Sequence, residues 1–479
     1  MEPLFIKTEE QPLDVSVLYL TEKETDLSGY SFSPAELEYL NNQRKKDKRN
    51  IHVNSYFKWS YLIVTDTNLP EHELLEDIRI QASALYSTLK KNNHRQLLVV
   101  DTLSQPFRLK ALLEGLALSH YQFLRHKSTD EDTRNKLEQI QVLSDTIGEK
   151  ELQQWQVVTG AVYHARDLVN EPLSSLNAVQ LGEAFQEMAR EAGFSIEVFN
   201  KKKIEALRMN GLLAVNRGSV DPPSFSVMEW NPTEVRNSRP IVLVGKGVVY
   251  DTGGISLKPS SSMGDMKSDM AGAAVVVGIL YAAARNKIPV RLIGLVPATD
   301  NRPGGNAYTP GDVVTMHDET TVEVVNTDAE GRMILADALS FARQFDPELV
   351  FDFATLTGSA SVAIGPQGIV TMGNADETVF EQLIQSGLNT YERLVRLPLW
   401  KEYKEMIKSD VADLKNAGGR EAGAITAGKF LEHFTRYSWV HFDIAPTAFL
   451  EKHDSYRGKG GTGTGIRLMY DFLNQYTAK

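Results

Sequence analysis

The 479-residue chain contains no cysteine, which removes disulfides, thiolate metal sites and cysteine nucleophiles from consideration. An excess of positive charge is missing too. The formal net charge is −11, which argues against a basic nucleic-acid surface spread over the whole molecule. No apolar run reaches the ~20 residues of a membrane span; the longest, 271–284, is rich in Ala and Gly and reads as a buried helix. The opening segment, MEPLFIKTEEQPLD, is acidic and lacks the continuous apolar stretch of a secretory signal. Two familiar hydrolase signatures do not occur: none of the ten histidines sits in HExxH, and there is no GxSxG elbow. The expectation is a soluble, cytoplasmic protein with no membrane partner.

What is present has the profile of a globular protein, with 42% hydrophobic and 24% charged residues. The length exceeds one ordinary core and predicts two domains. Residues 15–20, 61–64 and 96–100 read as strands, with helical spacing of apolar residues over 71–91 and 107–127. The charged run 127–139 is assigned to the surface, and 150–170 to a helix stopped by Pro172. A second alternation follows. Its strands are 195–199, 241–245, 290–296, 321–325, 349–353 and 439–442, and its helices 268–285, 332–345 and 424–437. That rhythm predicts an α/β protein with a mixed, largely parallel sheet covered on both faces. The domains expected are an N-terminal α/β domain over 1–149, a linker helix over 150–170 and a larger α/β domain over 171–479.

Two tempting motifs carry little. GKGGTG at 458–463 fits GxGxxG in letters only, with no preceding strand and no βαβ unit, and reads as a mobile loop. His317, beside Asp318 and Glu319, reads as part of a polar hairpin turn rather than a metal ligand.

Two segments at predicted strand ends carry the chemistry. In VGKGVVYDTGGISLKPSSSMGDMKSDM, residues 244–270, a buried strand runs into Lys246, followed by Asp251, Gly253–Gly254, Lys258 and Asp269. In NTDAEGR, residues 326–332, Asp328, Glu330 and Arg332 lie between a strand and a helix. Ligands collect outside the carboxyl ends of strands in open α/β sheets. Taken singly, Asp251 and Asp269 could be helix caps, and Lys246 and Lys258 surface charges. Together, four converging carboxylates would repel one another, and divalent Mg, Mn or Zn resolves that conflict. Two such ions about 3.5 Å apart can share carboxylates and generate a hydroxide nucleophile.

At these residues the sequence resembles the leucyl (cytosol) aminopeptidase family, whose signature heptad NTDAEGR matches in full. ARDLVNEP (165–172), GLLAVNRGS (211–219), DLKNAGGREAGAITAGKFL (413–431) and HFDIAPTA (441–448) are also similar to family blocks, as is EGLALSHYQFLRHKS (114–128). Asp300 stands where the family commonly has Glu, 316–324 lacks its usual Gly, and Pro446 stands where Gly is frequent, beside the pocket wall.

The resemblance implies a two-metal aminopeptidase that removes single N-terminal residues from peptides, with a preference for Leu or similar side chains. By similarity Asp251 and Glu330 bridge the metals, Asp328 completes the more exchangeable site, and Lys246 with Asp269 completes the tighter one. Lys258 polarises the scissile carbonyl, Arg332 holds a bicarbonate ion acting as general base, and a metal takes the substrate's α-amine. Met266, Thr355 and Gly358 line the side-chain pocket, and Leu356 offers a backbone carbonyl. The family's fold is a small N-terminal α/β domain joined by a helix to the catalytic domain, assembled as homohexamers. A DNA-binding accessory role and an inactive scaffold are the competing readings. The acidic charge disfavours the first, and the intact seven-residue set disfavours the second.

Overall fold

Runs of aliphatic and β-branched residues pair into two separate major sheets in the computed structural model, which describes residues 2–12, 14–128 and 133–476. The chain divides into two compact units, Met1–Tyr163 with Lys452–Gly458, and His164–Glu451 with Lys459–Lys479. The fold is mixed α/β, with sheets mostly parallel.

The first unit has a six-stranded sheet in the order Leu4–Lys7, Gln139–Leu143, Gln96–Asp101, Val17–Thr21, Trp59–Val64, Asn50–Asn54. Every neighbouring pair is parallel except the last, which is antiparallel. Helices Glu71–Lys91 and Pro106–His120 bring Leu74, Ile78, Leu85, Leu112 and Leu116 onto it. The helix expected over 107–127 stops at His120, because Tyr121 leaves helical geometry and packs edge-on against Tyr163. The charged run 127–139 lies partly outside the described residues, at 129–132; Thr133, Arg134 and Glu138 are exposed. Helix Glu149–Asn170 carries the chain into the second unit.

The second unit is built on a nine-stranded sheet whose centre is four mutually parallel strands: Trp439–Asp443, Leu349–Ala354, Ile241–Gly245 and Leu292–Asn301. Their side chains are buried on both faces, as a sheet sandwiched by helices requires. Ile241–Gly245 alone sequesters four large aliphatics, each contributing about 1.5–3 kcal/mol over an exposed position. The core joins these strands to helix Glu330–Ala342 through Val242, Val244, Ile334, Leu335 and Leu339. Strands Ser224–Trp230, Ile369–Gly373 and Gly247–Asp251 complete features that the sequence reading did not foresee.

Met266–Arg285 is long and apolar enough to cross a membrane, but 89% of its most apolar window is buried inside the protein, as a core helix would be. Two expectations are corrected. Helix 268–285 begins only at Ala271; residues Met266–Met270 form a tighter 3-10 turn. The glycine-rich run is not a free loop: Gly458–Gly461 is a strand and residues 460–465 are buried. Its glycines allow close packing, with the Gly461 N–H donating to Asn170 Oδ1 at 3.0 Å. His317 sits in the hairpin turn between Val313–Thr315 and Thr321–Glu323, its ring on Ser340 Oγ at 2.9 Å.

Candidate functional site

The central strands end at one side of the sheet, and the polar residues that follow them meet there. Lys246 directly follows Ile241–Gly245, and its main chain is pinned on both sides. Its N–H donates to Phe353 O, and its carbonyl accepts from Ala273 N. The side chain therefore points from a fixed anchor. Its Nζ lies 2.7 Å from Asp269 Oδ1, 2.9 Å from Glu330 Oε1 and 2.9 Å from Thr355 O.

Asp251 ends the strand Gly247–Asp251, whose pairing with Leu292–Asn301 becomes irregular just before it. Gly253 and Gly254 follow with φ of 84° and 67°. A Cβ on Gly253 would stand 2.9 Å from Asp328 Oδ1, and one on Gly254 2.9 Å from Thr327 Oγ1. Glycine at this turn is what lets the two acidic segments come together. Lys258 then bridges them, with Nζ 2.8 Å from Asp251 Oδ2 and 2.6 Å from Asp328 Oδ1.

Asp269 belongs to the 3-10 turn before helix Ala271–Arg285 and caps nothing. Its Oδ1 accepts from Thr355 Oγ1 at 2.8 Å. Glu330 and Arg332 occupy the first turn of helix Glu330–Ala342, where the positive end of the helix favours the Glu330 carboxylate. Arg332 Nη1 donates to Asn416 O at 2.8 Å, while its Nε is buried without a hydrogen-bond partner among the described residues.

Four carboxylates thus share a small volume with two ammonium groups and one guanidinium, so negative charge is in excess. Burial pushes the Asp269 carboxyl well above the usual range, Lys246 notwithstanding. Burial and the neighbouring Asp251 charge push Glu330 and Asp328 upward. Burial acts to lower the two lysines, but the surrounding carboxylates outweigh it and hold both ammonium groups above their ordinary range. Burial lowers the Arg332 guanidinium to about 10, so it remains charged at neutral pH.

All eleven residues named from the sequence border one cavity of about 450 Å³: Lys246, Asp251, Lys258, Met266, Asp269, Asp328, Glu330, Arg332, Thr355, Leu356 and Gly358. Among the described residues no histidine lines it. Asp300 does not reach the cavity and pairs with Arg302 at 2.7 Å; Pro446 lies one residue beyond the lining Ala445. Sequence reasoning missed Asn301, Asn416 and Asp443. Asp443 organises the wall by accepting from Leu356 N at 3.1 Å and Thr357 Oγ1 at 2.7 Å.

Oxygen atoms of Asp251, Asp328 and Glu330 lie within 4.8 Å of one another, close enough to share a cation. One oxygen each of Asp269 and Glu330 is buried with no hydrogen-bond partner among the described residues. Such orphaned acceptors are costly unless something positive completes them. Hard oxygen donors with excess negative charge fit divalent cations such as Mn, Mg or Zn.

Comparison with known proteins gives the same direction. A profile described as the catalytic domain of the cytosol aminopeptidase family matches residues 163–470. A probable cytosol aminopeptidase of Chlorobaculum tepidum is 46% identical over 389 residues, 78% of this chain and 76% of that one. One of Chlorobium phaeobacteroides is 45% identical over 380 residues, 77% and 75% of the two chains. Among solved structures, the bottromycin maturation enzyme BotP in complex with Mn is 28% identical, with a TM-score of 0.85 over 98% of this chain and 100% of that one. A tomato leucine aminopeptidase variant has a TM-score of 0.86 at 24% identity, over 99% of this chain and 97% of its own, which shows shared fold alone.

Proposed function

Because the chain belongs to the cytosol aminopeptidase family, we propose that this aminopeptidase, a peptide-bond hydrolase, works with two divalent metal ions and prefers N-terminal leucine or a similar apolar residue. The observation that carries the metal reading is the cluster itself, in which four acidic side chains crowd around too little positive charge and two buried oxygens lack partners.

Asp251 and Glu330 would be shared between the ions, Asp328 would complete one site, and Asp269 with Lys246 the other. Lys246 can donate a lone pair only after losing its proton, and dications among the same carboxylates are what would drive that proton off. Bound there, the ions would supply Lewis acidity and a water acidic enough to attack near neutral pH.

The protein's own groups do the rest. Lys258, already charged and held by Asp251 and Asp328, would polarise the scissile carbonyl and stabilise negative charge developing on its oxygen. Arg332, charged and with an unpartnered buried Nε, would hold a bicarbonate ion that supplies the base chemistry no histidine provides here. Met266, Thr355 and Gly358 would receive the first side chain, and the Leu356 carbonyl would accept from the substrate main chain. A single pocket contact of this kind discriminates by about 1–3 kcal/mol.

A homohexamer acting on peptides in the cytoplasm is the assembly that fits this reading. The net charge of −11 favours it over a DNA-binding accessory role. The test is hydrolysis of a leucine anilide by the purified full chain. It should require added Mn, Mg or Zn, stop with chelator and collapse in Asp328→Ala. Undiminished activity in chelator, or in that variant, would overturn the metal mechanism.

A further inference from the structure

Asn301 closes the central strand Leu292–Asn301 and is fully buried. Its side-chain amide donates twice, to Asp251 Oδ1 at 2.8 Å and to Thr327 O at 3.0 Å. One planar group therefore spans the two acidic segments, the first through the Asp251 carboxylate and the second through the main chain immediately before Asp328. The same Asp251 oxygen also accepts from Gly253 N at 2.8 Å. With Oδ1 satisfied twice, Oδ2 is left facing Lys258.

The second segment is held equally closely. Thr327 O also accepts from Tyr308 OH at 2.9 Å, and Thr327 Oγ1 bonds Gly253 O at 2.6 Å and Ser256 N at 2.8 Å. The main-chain carbonyl of Asn301 accepts from both Thr252 N and Thr252 Oγ1. Among the described residues the side-chain Oδ1 of Asn301 has no hydrogen-bond partner, so the side chain acts here through its two donors. An aspartate of the same shape supplies neither donor when ionised and adds a charge beside Asp251. A leucine of similar size supplies neither and adds no charge.

We infer that Asn301 is a positioning residue for the metal cluster: its amide fixes the Asp251 carboxylate rotamer and the separation of Asp251 from Asp328 and Glu330. The inference rests on the metal reading above. A carboxylate held in its binding orientation pays no ordering entropy when a cation arrives, so affinity depends on the outer partner as well as on the ligand.

The test is calorimetric titration of Mn into the chelator-stripped full chain, comparing wild type, Asn301→Asp and Asn301→Leu, with circular dichroism to confirm folding. Both variants should bind Mn about 10- to 100-fold more weakly. Activity should return at raised Mn, with KM for the leucine anilide within about twofold of wild type once the metal saturates. A purely structural role would not be rescued by metal. If both variants bind Mn as wild type does, or only the charged one is impaired, the positioning role is wrong. Loss of fold in both would equally overturn it in favour of a scaffold role. If wild type itself takes up no Mn, the metal reading fails, and this inference with it.

Discussion

Lys246 and Gly331 compete for the same space: a Cβ built on Gly331 would stand 2.7 Å from the Lys246 ammonium nitrogen. The residue between Glu330 and Arg332 is therefore bare because the lysine from the neighbouring strand runs across it. Sequence spacing gives the order of these groups; this contact gives the reason for a glycine in the heptad.

Gly331→Ala should separate packing at the site from helix stability. Alanine favours the helix by up to about 1 kcal/mol, whereas forcing a methyl against a fixed side chain costs about 1–3 kcal/mol. The expected result is a folded protein whose kcat/KM falls about tenfold or more, with weakened Mn binding as Lys246 is displaced. A variant indistinguishable from wild type in both would show that Lys246 does not need that path.

Lys258→Met should distinguish an electrophile from a metal ligand. Removing the ammonium takes a competing cation away from Asp251 and Asp328, so Mn affinity should hold or rise. Turnover should still drop by about 10²- to 10³-fold, the usual cost of deleting a group that stabilises the oxyanion. Single-turnover kinetics at saturating Mn is the measurement; simultaneous loss of metal binding would assign Lys258 to holding the cluster together instead.

Asp337 offers a pH signature away from the cavity. It is fully buried, accepts from Leu212 N and His317 N at 2.9 Å each, and burial pushes its carboxyl up to about 7. The folded protein thus keeps a proton that an unfolded chain releases near the ordinary Asp value of about 4. The resulting stability is complete below about pH 4 and is lost as pH rises through about 7. Melting curves of wild type and Asp337→Asn should diverge over this range, with wild type losing ground as pH rises. Parallel curves would mean that the main-chain donors hold the carboxylate ionised throughout.

The parts legible in the sequence are those written in local pattern. Helix Glu71–Lys91 and strands Ser195–Phe199 and Ile241–Gly245 have the limits that periodicity sets. The acidic and basic residues of 246–269 and 328–332 were legible because each follows a strand end, where α/β topology gathers polar groups. What escaped depends on distant partners. Nothing in HYQFLRHK marks the helix end at His120; the stop comes from Tyr163, some forty residues on. Asn301 carries no local signal of its own, and its part shows only when its amide is seen against Asp251, fifty positions earlier. The glycines of 458–465 suggest mobility by composition, yet Gly460 and Gly461 serve to approach Asn170 and Val169. Close packing and flexibility leave the same mark in a sequence.

The cluster at the strand ends is assembled from carboxylates and amines, with neither thiolate nor imidazole among them. Oxidants such as peroxide consequently find no sulfur or imidazole to attack within the cluster. Along the cavity wall the vulnerable group is the Met266 thioether. Its conversion to sulfoxide would make that stretch of the wall polar while the acidic cluster stayed chemically intact.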